Sequence, residues 1–315
     1  MLLVYLISKR IWNSLYAAIV AAFLYGLASD SLFFAVSLWY HPLYVFCFLI
    51  ASYSLLVFSE NKQLYNILFC FASAVCITIK LYTALPLAVL ALGLPKVCRK
   101  TPLLVIVLLS VSNLAYNHYM APDQPLSNKG IKIINPIEQN ESIIDSVFRN
   151  VERFTKGFIL SFINRRAFPE YGFFYLLQKA VLTYMPYLIF SLAGFLALKK
   201  KGLPKPFPPL LLSIIIYSII VVYTKTNSFG GWELSMRYLM PVTPILLVLA
   251  AGYIVELLDY RLIILVIAVS AIFAQYIHVM YFDYRYESTL WFSLLLVIMA
   301  VVLLILGYVL RREFK

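Results

Sequence analysis

Apolar residues in this chain come in long runs, and polar and charged residues are confined to the gaps between them. The runs cover residues 11–28, 42–59, 63–79, 81–94, 102–116, 174–198, 207–223, 238–258, 262–279 and 290–310. Most approach the ~20 apolar residues whose helix crosses a hydrocarbon core about 30 Å thick. Backbone groups in lipid find no water, so spanning segments are helices or closed barrels, and runs this long predict helices. The shorter ones predict bending or local thinning of the bilayer. The pattern therefore predicts an all-α fold, a polytopic transmembrane helical bundle with about ten membrane helices.

Two stretches depart from it. The opening "MLLVYLISKR" is too short to span and lacks the polar cleavage region of a signal peptide. It is expected to be a helix stub, the cytoplasmic end of a helix whose beginning is absent. Residues 117–173 are the one long segment able to fold outside lipid. They divide the chain into N-terminal membrane helices (1–116), an external loop (117–173) and C-terminal membrane helices (174–315). The loop opens with "APDQPLSNKGIKIINPIEQNES", whose Pro, Gly and Asn read as irregular, and it holds a glycosylation sequon at Asn140. Ile144, Val147, Phe148, Val151, Phe154 and Phe158 then recur at helical spacing, with Arg149, Glu152, Arg153 and Lys156 on other faces. This predicts an amphipathic helix lying on the outer membrane surface or packed on protein.

Composition agrees with the pattern: 63% of residues are hydrophobic and 13% charged, against nearer half and a quarter in soluble domains. Mean hydropathy is +0.88. A net charge of +12 would suit a nucleic-acid partner, but the cations sit in short clusters between apolar runs: "SKR" at 8–10, "KVCRK" at 96–100, "KKKGLPK" at 199–205 and "RREFK" at 311–315. That distribution is the positive-inside pattern of cytoplasmic loops, and no nucleic acid is implied. Alternating sides from a cytoplasmic "SKR" leaves 14 Lys/Arg with 4 Asp/Glu inside and 12 with 10 outside. A multi-pass protein of the cell membrane with a cytoplasmic C-terminus is expected. Cys47, Cys70, Cys76 and Cys98 lie in or beside apolar helices, show no zinc spacing and read as inert buried thiols. No cofactor motif is present, and the sequence leaves a divalent-cation requirement open.

Ionisable groups in or beside a membrane are costly, so a functional role is their first reading. On the outer side these are Asp30, His41, Lys80, Glu233, Arg237 and Asp283. Each has a plainer reading. Lys80 can snorkel, Glu233 and Arg237 can pair at i,i+4, and Trp39, Tyr40, Trp232 and Tyr238 match an aromatic belt. Together the cations suit an anion at the outer leaflet, a lipid phosphate in particular. Arg offers a planar fork and Lys a point charge, while a helix beginning near Arg237 adds N–H groups and partial positive charge.

"GGWELSMRYLMPVTPILLVLAAGYI" resembles the Gly-x-x-x-Arg-Tyr-Leu-x-Pro-x-x-Pro helix of GT-C membrane glycosyltransferases, a group that includes protein O-mannosyltransferases and lipid A aminoarabinose transferases. Residues 1–58 look like the family's second to fourth membrane helices, and "FASAVCITIKLYTALPLAVLALGL" is similar to its Thr-Lys turn, with Ile79 in place of Thr before Lys80. The resemblance covers residues 1 to about 258. It implies transfer of a sugar from a polyprenyl-phosphate carrier in the membrane lipid to an acceptor protein or glycolipid on the external face. Substrate contacts fall to Arg237, Lys80, Glu233, Trp232 and Tyr238. The family's first helix and first external loop, with its principal acid, have no counterpart here, so the resemblance implies an incomplete or inactive transferase as written. His41 stands where many members carry an acid, and Asp30 lies nearby; these two are the candidate catalytic residues. The alternatives are a non-catalytic protein that binds the lipid carrier or partners another subunit, and a transporter or lipid flippase. No internal repeat supports the last, and the charges lie at the outer edge rather than the midplane.

Overall fold

A computed structural model describes residues 1–29, 41–120, 186–224 and 240–282. All regular structure among them is helical, in ten α-helices and two short 3-10 turns. Of the loop expected at 117–173 only 117–120 are described, as the end of a helix, and the amphipathic helix expected near 144–158 lies wholly outside the described residues. The start of the 174–198 run and all of the 290–310 run also lie outside them.

The first predicted run is broken in two. Helix α1 (Leu2–Trp12) ends at Asn13, which turns left-handed at φ 50° and ψ 35°; Asn tolerates that region better than most residues. Ser14 then caps α2 (Leu15–Leu27), its Oγ accepting the Ala17 N–H at 3.2 Å. Thus the run expected at 11–28 yields the last turn of one helix and the whole of the next. Helix α3 (His41–Val57) and α4 (Lys62–Ile79) follow, the latter capped by Asn61 Oδ1, which accepts the Leu64 N–H at 3.0 Å. A 3-10 turn at Leu81–Thr83 leads into α5 (Ala84–Leu92), and α6 spans Lys100–Met120. A second 3-10 turn, Pro186–Ile189, precedes α7 (Phe190–Lys201), which stops at Gly202 with φ 95°. Helices α8 (Phe207–Thr224), α9 (Thr243–Leu257) and α10 (Tyr260–Phe282) complete the described chain. Asp259 caps α10 by accepting the Arg261 and Leu262 N–H groups at 2.9 Å.

Among the described residues one helix, Lys62–Ile79, is by itself long and apolar enough to cross a membrane. Shorter apolar helices cover Leu15–Leu27, Pro42–Val57, Leu81–Leu92, Lys100–Tyr116, Phe207–Ile220, Thr243–Leu257 and Tyr260–Ile272.

The chain forms two compact units. The first takes the described residues of Met1–Pro42, Leu160–Pro204 and Gly230–Lys315, and the second those of Leu43–Ile159 and Lys205–Phe229. In the first, α9 is the central post: α1, α2 and α7 all pack on it, and Ile245, Leu247, Val248, Ala250, Ala251 and Ile254 are buried. Two glycines permit the approach. Gly194 of α7 lies against the Leu249 backbone, and Gly252 lies under the Trp12 ring. In the second unit α4 packs on α6, and α5 on α6 and α8. Gly93 meets the Pro209 ring, which an added Cβ would approach to 2.8 Å.

A Cβ at Gly194 would strike the Leu249 carbonyl, backbone that cannot swing aside. Gly194→Ala is therefore expected to cost about 1–3 kcal/mol, read as a lower midpoint of thermal unfolding in detergent. An unchanged midpoint would show that α7 and α9 are not in backbone contact.

Candidate functional site

Lys80 is the candidate whose surroundings are described most fully. Helix α4 ends at Ile79, and Lys80 leaves it in extended geometry (φ −144°, ψ 97°) while its N–H still donates to the Cys76 carbonyl at 2.8 Å. The Lys80 carbonyl then accepts both the Thr83 N–H at 2.9 Å and the Thr83 hydroxyl at 2.7 Å. Thr83 thus clamps the turn from both its backbone and its side chain. Pro86 falls in the first turn of α5, where a missing N–H is harmless, and its carbonyl accepts Ser213 Oγ at 2.8 Å. Asn113 of α6 closes the other side by donating to the Ile77 carbonyl at 3.4 Å. The Lys80 side chain itself is half-buried.

Beneath this turn three phenols converge. Tyr217 of α8 is fully buried, and its hydroxyl donates to the Tyr44 hydroxyl at 3.4 Å. The Tyr82 and Phe48 rings flank it, with centroids 5.8 and 5.9 Å away. Tyr44, also buried, accepts Cys76 Sγ on its carbonyl at 3.4 Å, which ties the first turns of α3 to the last turn of α4. His41 is the first residue of α3, one turn before Tyr44. The second unit therefore puts Lys80, Tyr82, Thr83 and Tyr44 at one end. Its basic cluster Lys96, Arg99 and Lys100 follows Gly93 at the other, where Gly93 meets Pro209 and Leu55.

The first unit, taken by itself, also has two distinct ends. At one end Tyr187 donates its hydroxyl to the Ala28 carbonyl, and Ser191 Oγ donates to the Leu246 carbonyl at 2.8 Å. This joins the last residues of α2 to the first turns of α7 and α9. Further along α9 Trp12 Nε1 donates to the Val248 carbonyl at 2.8 Å, and at the opposite end Lys201 pairs with Glu256 and lies 5.6 Å from the Trp12 ring centroid.

Asp30, Trp232, Glu233, Arg237, Tyr238 and Asp283 lie outside the described residues. Their described neighbours in the chain are buried: Ser29 just before Asp30, and Met240 three positions after Arg237. Ser29 adjoins Ala28, and Met240 leads into α9, so both flank the end of the first unit that is opposite the Trp12–Lys201 cluster. Reading the sequence for charge missed the tyrosines. The available signal was Tyr217 standing alone in "IIIYSII": a hydroxyl inside an apolar helix needs a partner. It also gave Glu256 no partner, because that partner comes from 55 positions away. Among the described residues no group of three or more His, Cys, Asp or Glu side chains gathers as a metal site would require.

No family model, curated protein or solved structure matches the chain.

The buried phenol of Tyr217 supplies both a hydroxyl and a ring to the floor of the Lys80 turn. Tyr217→Phe is expected to cost about 0.5–1.5 kcal/mol and Tyr217→Ala about 3–5 kcal/mol, measured by thermal unfolding in detergent. Equal effects of the two would mean that the ring contributes no packing.

Proposed function

We propose that this chain is a multi-pass membrane protein of the GT-C glycosyltransferase type, moving a sugar from a polyprenyl-phosphate carrier to an acceptor on the external face. The membrane part of the reading is supported by where the apolar side chains point. On α6, Leu104, Val107, Leu108, Val111 and Leu114 form an outward stripe, each at least 37% exposed. On α8, Leu212, Ile215 and Ile219 do the same. Burying such a side chain is worth about 1.5–3 kcal/mol, so repeated outward stripes make sense when the surrounding solvent is lipid.

The observation that carries the functional part is the polarity of each unit. In the second, Lys80 stands at the end away from Lys96–Lys100; in the first, the chain enters and leaves the Asp30 and 232–238 segments at the end away from Lys199–Lys201. Each unit, taken by itself, thus has a basic end and an opposite end, and Lys80 stands at the opposite end of the second. In the proposed reaction an acceptor hydroxyl or amide attacks the anomeric carbon, and the bond from that carbon to the carrier phosphate breaks. The electron pair leaves on phosphate and the acceptor proton passes to a base, for which Asp30 and His41 are the candidates. Arg237 and Lys80 stabilise the charge growing on the phosphate, with Trp232, Glu233 and Tyr238 beside Arg237 at the donor.

Topology comes first among the tests. In a cysteine-free background, an impermeant thiol reagent should label Lys80→Cys from outside and Lys200→Cys only after permeabilisation. The reverse pattern would remove the external site. Binding comes second. Lys80→Ala and Arg237→Ala should each weaken binding of a polyprenyl-phosphate sugar to the purified chain by about tenfold or more, as loss of a charged hydrogen bond implies. Unchanged binding in both would sink the phosphate assignment. Intact binding without sugar transfer by the wild type would favour the non-catalytic carrier-binding alternative.

A further inference from the structure

We propose that the basic end of the first unit is a docking surface for acidic phospholipid headgroups, with Lys199 and Lys200 as its principal cations. The proposal rests on the reading that these helices cross a membrane, and it concerns the end away from the transferase candidates.

The end of α1, the end of α7 and the end of α9 meet here through Trp12, Lys201 and Glu256. Six cations belong to it, Lys9, Arg10, Lys199, Lys200, Lys201 and Arg261, all exposed, against two carboxylates. Both carboxylates are engaged within the protein. Glu256 pairs with Lys201, and Asp259 accepts two N–H groups at the start of α10. Lys201 is further held over the Trp12 ring, itself fixed by its bond to Val248 and by Gly252 beneath it. Lys201 therefore completes the protein's own framework.

Lys199 and Lys200 are placed differently. Among the described residues neither pairs with a carboxylate. They continue a helical stripe whose preceding members are Leu192, 68% exposed, and Leu196, 50% exposed. Spacings of four, seven and eight put these side chains on one face of α7. That face is apolar along its length and cationic at its last turn, which is the order of acyl chain and phosphate in a phospholipid. The unpaired carbonyls at the end of α7 carry partial negative charge that would repel a phosphate; the lysine pair offsets it. A soluble anion would use the cations but not the apolar face leading to them. Juxtamembrane lysines are drawn to anionic leaflets in this way.

The test uses the full chain in detergent, titrated separately with phosphatidylglycerol, phosphatidylcholine and inorganic phosphate, with lipid retention read by native mass spectrometry and unfolding by temperature. Phosphatidylglycerol should be retained and raise the midpoint, while the other two should not. The Lys199→Gln/Lys200→Gln pair should lower the apparent affinity for phosphatidylglycerol roughly thirtyfold, and Lys62→Gln, at an exposed lysine of the second unit, should leave it unchanged. A midpoint shift of the same size in the double variant, equal effects of both lipids, or stabilisation by inorganic phosphate alone would each overturn the proposal. Alkaline carbonate extraction of the wild type from membranes separates the two levels. A chain that is extracted contradicts the membrane reading itself, whereas one that stays embedded without preferring acidic lipid contradicts only the headgroup site.

Discussion

The first unit depends on how closely α7 and α9 approach. At Gly194 the Leu249 backbone occupies the space that a side chain would fill, and one turn earlier Ser191 hydrogen-bonds the Leu246 carbonyl. Trp12 donates to a further carbonyl of the same helix, that of Val248. Apolar packing alone would let such helices slide along one another, because the gain from buried area has no direction. Hydrogen bonds to particular carbonyls do have a direction, and with the glycine contact they fix the register. A fixed register sets which end of each helix meets which. The pairing of Lys201 with Glu256 and the contact of Tyr187 with Ala28, at opposite ends, both follow from it.

The second unit meets a different constraint, that of ending a helix inside an apolar bundle. The C-terminal carbonyls of α4 need donors: Asn113 donates to that of Ile77 and the Lys80 N–H to that of Cys76, whose thiol in turn donates to the Tyr44 carbonyl of α3. The turn that follows is closed on itself by Thr83. The polar cost of interrupting the helix is thus met locally, and the tyrosines below fill the volume with groups that can bond one another. Ser213, bonded to the Pro86 carbonyl, ties α8 to the same turn.

Much of the helix inventory was legible from the apolar runs, because a run long enough to be buried throughout has few alternatives to a helix. The breaks inside runs were harder to see. Asn13 and Ser14 divide α1 from α2 within a stretch whose mean character stays apolar, and their effect lies in backbone conformation and capping rather than in hydropathy. Likewise Lys80 was visible as a charge, but the 3-10 turn after it was not, since "LYTALP" is nearly as apolar as its flanks. Long-range partners were invisible in principle: Glu256 and Lys201, or Trp12 and Val248, are joined only once helices distant in the chain pack together. Of the candidate site, the sequence supplied the charged residues and missed the phenols beneath Lys80. Charge stands out in an apolar run, whereas a tyrosine counts as an ordinary aromatic.

Lys80 differs from the other lysines in the geometry of the helix end it occupies. At the end of α7, Lys199, Lys200 and Lys201 complement the negative end of the helix dipole, and Lys201 also neutralises Glu256. At the end of α4 the structural duties fall elsewhere. The N–H at position 80 would be supplied by any residue other than proline, and the Ile77 carbonyl is taken by an asparagine from another helix. The extended backbone at φ −144° carries no demand for a particular side chain. A half-buried cation costs more than a neutral residue of similar length unless its charge is met, and Lys80 meets that demand at the end of the second unit remote from Lys96, Arg99 and Lys100.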